Sequence, residues 1–432
     1  MSAIRSVLSL LAGVALLMLG NGALGTLVSM RLSADGFGSL AVGVVSAAFF
    51  AGLTAGSLFA HAVIGRVGHI RAFSAFASIV SAASLAHAIA VDPVFWAVLR
   101  LIEGFCMAGL YMCIESWLND KATNETRGQL LSVYMVTLYL AVAAGQQMLN
   151  LDDPTRVLVF MLISITLSLA LVPVALTRTS PPTLPDVASF GFARLYAASP
   201  LGVAGVFVSG MVLGAVYGLA PVFGTQSGFG VSGTALFMSV LILGGVLLQW
   251  PLGRLSDRYD RRSVIIGLSF ALALVSLGMI AAAGLGSPRA LLPVALLFGG
   301  LCFTLYPLCL AHTNDHLDRS ELVAASGGLI LANSVGATFG PMLGSAAMTA
   351  LGPSGLFTFI AVIGAAGGAF GVWRTRIRPP VPPEARGRFH AVPQTTPAVT
   401  PLDPRGKPGE QGGGTARELP RGAAGHAPGR SS

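Results

Sequence analysis

The chain has 432 residues, 54% of them hydrophobic and only 10% charged, and its mean hydropathy is +0.75. A water-soluble domain carries about 25% charged residues, so a chain this long cannot cover a water-facing surface, and a soluble enzyme or nucleic-acid binder is excluded. The net charge of +8 does not alter that reading, because the basic residues fall in short loops and a C-terminal tail and build no basic face.

Apolar runs of spanning length recur at 7–30, 39–64, 72–91, 94–117, 128–150, 156–177, 200–223, 232–252, 263–285, 290–311, 321–349 and 355–373. Each can cross about 30 Å of hydrocarbon, and in lipid only a helix satisfies its own backbone. The first run reads as a retained membrane helix, not a cleaved signal, because many more follow it. The eleventh is long and Gly-rich, and is expected to hold a helix plus an irregular end. With the N-terminus inside, one set of loops carries Arg66, Arg71, Lys121, Arg127, Arg178, Arg194, Arg254, Arg258, Arg261, Arg262 and Arg319. The other set carries Arg31, Arg156 and Arg289. Eleven against three predicts that both termini are cytoplasmic.

The longest internal break, after the sixth run, divides the chain into a six-helix bundle over 1–177, a central cytoplasmic loop over 178–199 and a second bundle over 200–374. Residues 375–432 are rich in Pro, Gly and Arg and are expected to form a disordered basic cytoplasmic tail. The halves repeat. LYMCIESWLND (110–120) and LYPLCLAHTND (305–315) share Leu, Tyr, Asn and Asp at an offset of 195. QQML (146–149) faces GPML (340–343) at 194, and RVGHIR (66–71) faces RYDRRS (258–263) at 192. Six helices restore the starting side, so the copies are parallel. The expected fold is an all-α polytopic membrane protein with twelve transmembrane helices in two pseudo-symmetric six-helix bundles, and a site between them near the midplane.

The chemistry concentrates in the fourth run, where Arg100, Glu103, Met107, Tyr111 and Glu115 form one stripe at helical spacing. Ionisable groups at lipid depth are costly and mark function. Arg100 and Glu103 stand at i,i+3, which fits a structural ion pair. It equally fits a proton-accepting Glu103 beside an Arg100 that tunes it or grips an anionic substrate. Glu115, near the cytoplasmic end, reads either as a partner of Arg66 or Arg71 in a closed gate or as an ordinary interfacial carboxylate. The amides Asn21, Gln146, Gln147, Gln249 and Asn333, with Tyr111, Tyr217 and Tyr306, suit either substrate binding or helix-to-helix hydrogen bonds. His61, His69, His87 and His312 read as packing or interfacial residues. Cys106, Cys113, Cys302 and Cys309 have no metal-ligand spacing and read as small packing residues. No metal or other cofactor is expected. With no phosphate-cradling loop, a gradient must supply the energy, or transport is facilitated diffusion.

The loop after the eighth run, GRLSDRYDRR (253–262), resembles the cytoplasmic loop motif of the major facilitator superfamily through Gly253, Asp257, Arg258, Arg261 and Arg262, with Asp260 replacing a Gly. Such a loop reads as a latch on the cytoplasmic side, or more plainly as a topogenic basic loop. Its first-half copy keeps Arg66, Gly68 and Arg71 but has Gly65 where the Asp belongs. RLIEGFCMA resembles the superfamily's fourth-helix motif, with Glu103 in place of a Gln. The stretch RLSADGFGSLAVGVVSAAFFAGLTAGSL, together with ESWLND and AAGQQML, is similar to the bacterial YcaD-type branch, over residues 5–375. The resemblance implies a permease of the bacterial inner membrane with no defined substrate, and a monomer is expected. Its expected partners are a small-molecule substrate, protons and lipid, with no nucleic acid and no enzymatic activity. Multidrug efflux is the rival within transporters. A non-transporting sensor or scaffold on the same fold is the rival from another class.

Overall fold

The computed structural model describes residues 2–123, 125–176, 182, 191–285, 288–318, 321–377, 381–382 and 386–403, the side chains of 2–6, 288 and 289 excepted. The expected central loop therefore lies largely outside the described residues, as does the tail from 404 onward. The described backbone is helical: α1 (Ser2–Ala34), α2 (Ser39–Val67), α3 (His69–Ala86), α4 (Pro93–Lys121), α5 (Arg127–Gly145), α6 (Leu158–Leu169), α7 (Leu171–Ala175), α8 (Phe192–Ala198), α9 (Pro200–Gln226), α10 (Gly230–Arg258), α11 (Arg261–Gly284), α12 (Pro288–Asn314), α13 (Leu322–Leu351) and α14 (Gly355–Thr375). A 3₁₀ stretch, Gln146–Leu151, prolongs α5. The sixth span is broken into α6 and α7, where Pro173 cannot donate to the carbonyl one turn earlier. Among the described residues, twelve helical spans are long and apolar enough to cross a membrane. The eleventh run, expected to end irregularly, is one helix that carries Pro341 inside it.

Several starts are written locally. Asp92 accepts from the Phe95 amide ahead of Pro93, and Ser199 accepts from the Gly202 amide ahead of Pro200. Each pairs a side-chain cap with a Pro in the first turn, the two commonest signals of a helix N-terminus. Asp260, which stands where the loop motif has Gly, caps α11 by accepting from the Arg262 amide.

Glycine sets how closely the helices approach, and it does so twice. A Cβ on Gly52 of α2 would lie 2.0 Å from the Leu101 carbonyl of α4, and one on Gly104 would lie 2.0 Å from the Phe49 carbonyl. In the second half, a Cβ on Gly244 of α10 would lie 2.0 Å from the Leu296 carbonyl, and one on Gly299 of α12 would lie 1.8 Å from the Leu241 carbonyl. Gly52 and Gly244 differ by 192 and Gly104 and Gly299 by 195. The same two offsets relate α1 and α5 to α9 and α13. Gly22 and Gly145 oppose the Val142 and Leu19 carbonyls, as Gly214 and Gly340 oppose those of Ala337 and Met211. The repeat is thus one of packing as well as of sequence, built on backbone-to-backbone contacts that only a small residue permits.

The exterior remains apolar. Leu58, Phe59, Ile89, Val94, Leu274 and Val362 are exposed, a surface that suits hydrocarbon and would aggregate in water. The bundles meet along α2 with α13 and α9, α1 with α9, and α5 with α10. Parity puts the start of α1 and the ends of the even-numbered spans on one face, here the tail face; the far face lies opposite. At the far face the halves close on each other. A Cβ on Gly43 of α2 would lie 2.2 Å from the Ser345 hydroxyl of α13. Ser239 of α10 donates to the Ala143 carbonyl of α5 at 2.8 Å and accepts from the Gln147 amide at 2.7 Å.

The tail departs from the expectation of disorder over 386–403. Val392, Thr396, Val399 and Leu402 are buried, and a 3₁₀ turn, Pro397–Leu402, packs on α4, α5 and α13. The physical reason is local composition: AVPQTTPAVTPL (391–402) contains no charged residue, unlike the Gly- and Arg-rich sequence around it. It can therefore be desolvated at little cost.

Candidate functional site

Between the bundles lies a cavity of ≈ 170 Å³, lined from the first half by Asn21, Thr26, Ser46, Phe49, Arg100, Tyr111 and Tyr139 and from the second by Tyr217, Phe303, Asn333 and Ser334. α4 supplies Arg100 and Tyr111 from one face because they are three turns apart. Arg100 is the one Asp, Glu, Lys or Arg among the lining residues. Its guanidinium lies 4.1 Å from the centre of the Phe49 ring, a cation–π contact, and Nη1 donates to Glu103 Oε2 at 2.9 Å. Glu103 itself does not line the cavity. It sits behind Arg100, 1% exposed, and its Oε1 accepts no hydrogen bond among the described residues.

His87, read from sequence as a packing or interfacial residue, stands beside this pair. Its Nδ1 lies 3.6 Å from Glu103 Oε1 and 2.8 Å from the Ala83 carbonyl. A carbonyl can only accept, so Nδ1 carries the hydrogen. The ring stacks on Phe160 and meets Trp96 edge-on. No spacing rule links a residue just past α3 to the middle of α4, so sequence offered no signal for the cluster. The aromatic lining from Phe49, Tyr139 and Phe303 was equally silent, since each is an ordinary apolar position in its run.

The remaining candidates separate by position. Asn21, Tyr111, Tyr217 and Asn333 line the cavity; Tyr111 donates to the Met18 sulfur at 3.4 Å and Asn333 to the Val206 carbonyl at 2.9 Å. Gln146 braces helices instead, accepting from Thr26 at 2.7 Å and donating to the Gly22 carbonyl at 2.9 Å. Gln147 joins the two halves at the far face. Gln249 and Tyr306 are buried away from the cavity, with Gln249 Nε2 and the Tyr306 hydroxyl lacking hydrogen-bond partners. Glu115 lies at the tail-face mouth and does not meet Arg66 or Arg71, both of which are exposed. It accepts instead from Tyr134 at 3.2 Å and from the hydroxyls of Thr395 and Thr396. The tail reached the carboxylate that the loop arginines were expected to hold.

In the second-half loop, buried Arg261 donates to Asp257 at 2.9 Å and to Asp315 at 2.5 Å. Arg262 pairs with Asp260 at 3.1 Å, Arg258 is exposed, and Gly253 lies under the Phe389 ring. These contacts tie α10, α11 and α12 of one bundle together and do not cross to the other. Gly68 takes φ +85° at the turn between α2 and α3, a conformation that favours glycine.

Two parallel bundles, an aromatic-lined cavity between them that holds one buried charge, and an apolar exterior define a membrane transporter built from two repeats. The chain belongs to the major facilitator superfamily: the family "Major Facilitator Superfamily" matches residues 10–319 and 206–408. Over 361 residues, 83% of this chain and 93% of the relative, it is 30% identical to the uncharacterized MFS-type transporter YcaD of Escherichia coli (strain SMS-3-5 / SECEC), and equally to that of Shigella flexneri. These relatives make it a multi-pass inner-membrane protein of a transporter class and not an enzyme. In fold it is similar to the nucleoside transporter NupG, with 14% identity, TM-score 0.67 and coverage of 86% of this chain and 98% of that one. It is also similar to a bacterial homolog of the human lysosomal transporter Spinster in an inward-facing and occupied conformation, with 15% identity, TM-score 0.66 and coverage of 88% and 97%.

Proposed function

We propose that this protein carries a small solute bearing an anionic group and a flat apolar face across the bacterial inner membrane by rocking of the two bundles about the central cavity. The observation that carries the reading is Arg100, the one charged lining side chain, set among Phe49, Tyr139, Tyr217 and Phe303. A guanidinium with one N–H edge held by Glu103 keeps others for a carboxylate or phosphate, and the rings offer stacking. The cavity volume, of the order of the ~150 Å³ that admits a benzene-sized guest, suits a solute of one ring or slightly more. With the termini read as cytoplasmic from the Lys and Arg count, the closed far face is periplasmic and the conformation faces inward.

Proton coupling is the finer reading, with Glu103 as acceptor and His87 as its neighbour toward the far face. A multidrug role fits less well, because most such substrates are cationic and would meet Arg100. The test begins with thermal-shift screening of the purified protein against anionic and neutral metabolites and cationic drugs at two pH values, followed by uptake of hits into proteoliposomes. Anionic hits lost in Arg100→Met support the reading. Cationic hits that survive that substitution overturn it. Proton dependence that persists in the Glu103→Gln, Glu115→Gln double variant removes these carboxylates from the coupling.

A further inference from the structure

We propose that residues 386–403 are a docking segment of the chain itself that stoppers the tail-face mouth of the cavity and must withdraw before solute can cross. The segment holds both bundles at once. On the first, Thr395 and Thr396 donate to the two oxygens of Glu115, and Asn119 donates to the Ala398 carbonyl at 2.5 Å. On the second, Arg261 donates to the Gly387 carbonyl at 2.9 Å, Asp315 accepts from the Gly387 amide at 3.1 Å and Asp257 accepts from the Phe389 amide at 2.8 Å. A Cβ on Gly253 would fall 2.1 Å from the Phe389 ring, so glycine there leaves the ring its seat. Between these anchors Pro393, Gln394 and Thr395 form part of the cavity wall.

The sequence of the segment matches this role. Pro393, Pro397 and Pro401 restrict the free chain, so less conformational entropy is lost on docking. Val399 and Leu402 are fully buried. The charge-free centre enters the mouth, while Arg386 stays at the rim, 3.9 Å from Asp260. Glu115 is thereby given hydrogen-bond donors in a place where an unpartnered carboxylate would be costly. Rocking to the opposite state brings the tail-face ends of the two bundles together in the space the segment fills. Docking therefore favours the state open toward the tail face and withdrawal permits turnover, a population shift set by a segment of the same molecule.

The test adds one reporter cysteine at a time to the purified full-length protein and uses a bulky charged reagent, fluorescein-5-maleimide. Native Cys106, Cys113, Cys302 and Cys309 are buried, which keeps background low. Thr400 is buried and its hydroxyl lacks a partner, so Thr400→Cys surrenders no hydrogen bond. Arg388→Cys reports an exposed position on the same segment. Thr400→Cys should react at least about 50-fold more slowly than Arg388→Cys, since labelling waits on local opening. Adding Val399→Asp, a change confined to the tail, should remove most of that difference. A cavity reporter, Asn21→Cys, should label about tenfold faster with Val399→Asp than without it, and Phe389→Ala should act in the same direction from the other anchor. Equal rates at Thr400→Cys and Arg388→Cys would overturn docking. A slow Thr400→Cys with an Asn21→Cys rate indifferent to both tail variants would overturn the stopper. Neither readout requires transport, so both stand apart from the test of the proposed function.

Discussion

Removing one member of the Arg100–Glu103 pair should cost unequal amounts depending on which member goes, and the inequality follows from where each side chain sits. Breaking a buried ion pair typically costs about 3–5 kcal/mol, because the survivor keeps its desolvation penalty without its partner. After Glu103→Leu the guanidinium still faces the cavity and the Phe49 ring at 4.1 Å. Water in the cavity and the cation–π contact, worth about 1 kcal/mol, relieve it, and the expected loss is near 2–3 kcal/mol. After Arg100→Met the carboxyl is left 1% exposed, out of reach of the cavity, with only His87 at 3.6 Å. That loss should lie at the upper end, near 4–5 kcal/mol. The double variant removes both charges, so its cost should fall short of the sum by about 2 kcal/mol or more, where independent sites add within about 0.5 kcal/mol. Equilibrium unfolding in mixed micelles, monitored by Trp fluorescence, measures all three. Additivity, or a larger loss for Glu103→Leu than for Arg100→Met, would refute the arrangement of one group facing the cavity and the other behind it.

Gly104→Ile and Gly299→Ile should be similarly severe, each costing at least about 3 kcal/mol of overpacking, because an added Cβ would fall 2.0 and 1.8 Å from a carbonyl of the neighbouring helix; a mild effect at either, by thermal unfolding in detergent, would break the packing repeat. Arg261→Lys should destabilise by about 1–3 kcal/mol despite keeping the charge, since one ammonium cannot reproduce a fork reaching Asp257, Asp315 and the Gly387 carbonyl. The Gln147→Leu, Ser239→Ala double variant removes the hydrogen bonds joining the halves at the far face, and should raise maleimide labelling of a cavity cysteine from that side in intact cells by severalfold, each bond contributing about 1 kcal/mol. Unchanged labelling would mean that packing alone holds that face shut.

Hydropathy read the span number because apolar length is a one-dimensional quantity that the bilayer imposes directly, and the two halves were legible in the repeat at offsets of 192 to 195. The helices overran the apolar windows, α10 reaching Arg258 and α4 reaching Lys121, since a helix need not stop where hydrocarbon does. Within the candidate site, periodicity placed Arg100 and Glu103 on one stripe but could not say which faced the cavity, a question of rotation against α1 and α2. His87 and the tail were illegible for a different reason: their partners, Glu103 and Glu115, lie on other elements, and contact across 280 residues between Glu115 and Thr395 leaves no local pattern. Composition also misread the tail because a charge-free stretch of twelve residues was averaged with its Gly- and Arg-rich surroundings.

Where the two halves stop matching, their tasks divide. At the offset of 195, Arg100, Glu103 and Glu115 of α4 face Ala295, Phe298 and Leu310 of α12, so the three ionisable groups of α4 have no counterpart in the second half. At 192, Asp257 and Arg261 face Gly65 and His69, so the ionic brace with Asp315 belongs to the second half alone; in the first, Asp120 pairs with adjacent Lys121 at 3.0 Å. His69 packs instead against Trp117, and α3 and α4 are joined through an aromatic and sulfur contact that carries no net charge. A bundle that holds ionisable groups near its cavity gains from such a joint, because no nearby fixed charge competes for Arg100 or Glu115. The braced bundle gives the docking segment its firm anchor, and the first bundle gives it a carboxylate. His69→Arg tests that division: with Gly65 in place of an Asp, the new guanidinium would be buried beside Trp117 without a second carboxylate. The substitution should destabilise by about 3 kcal/mol or more, whereas a stable His69→Arg protein would show that the first half can be latched as the second is.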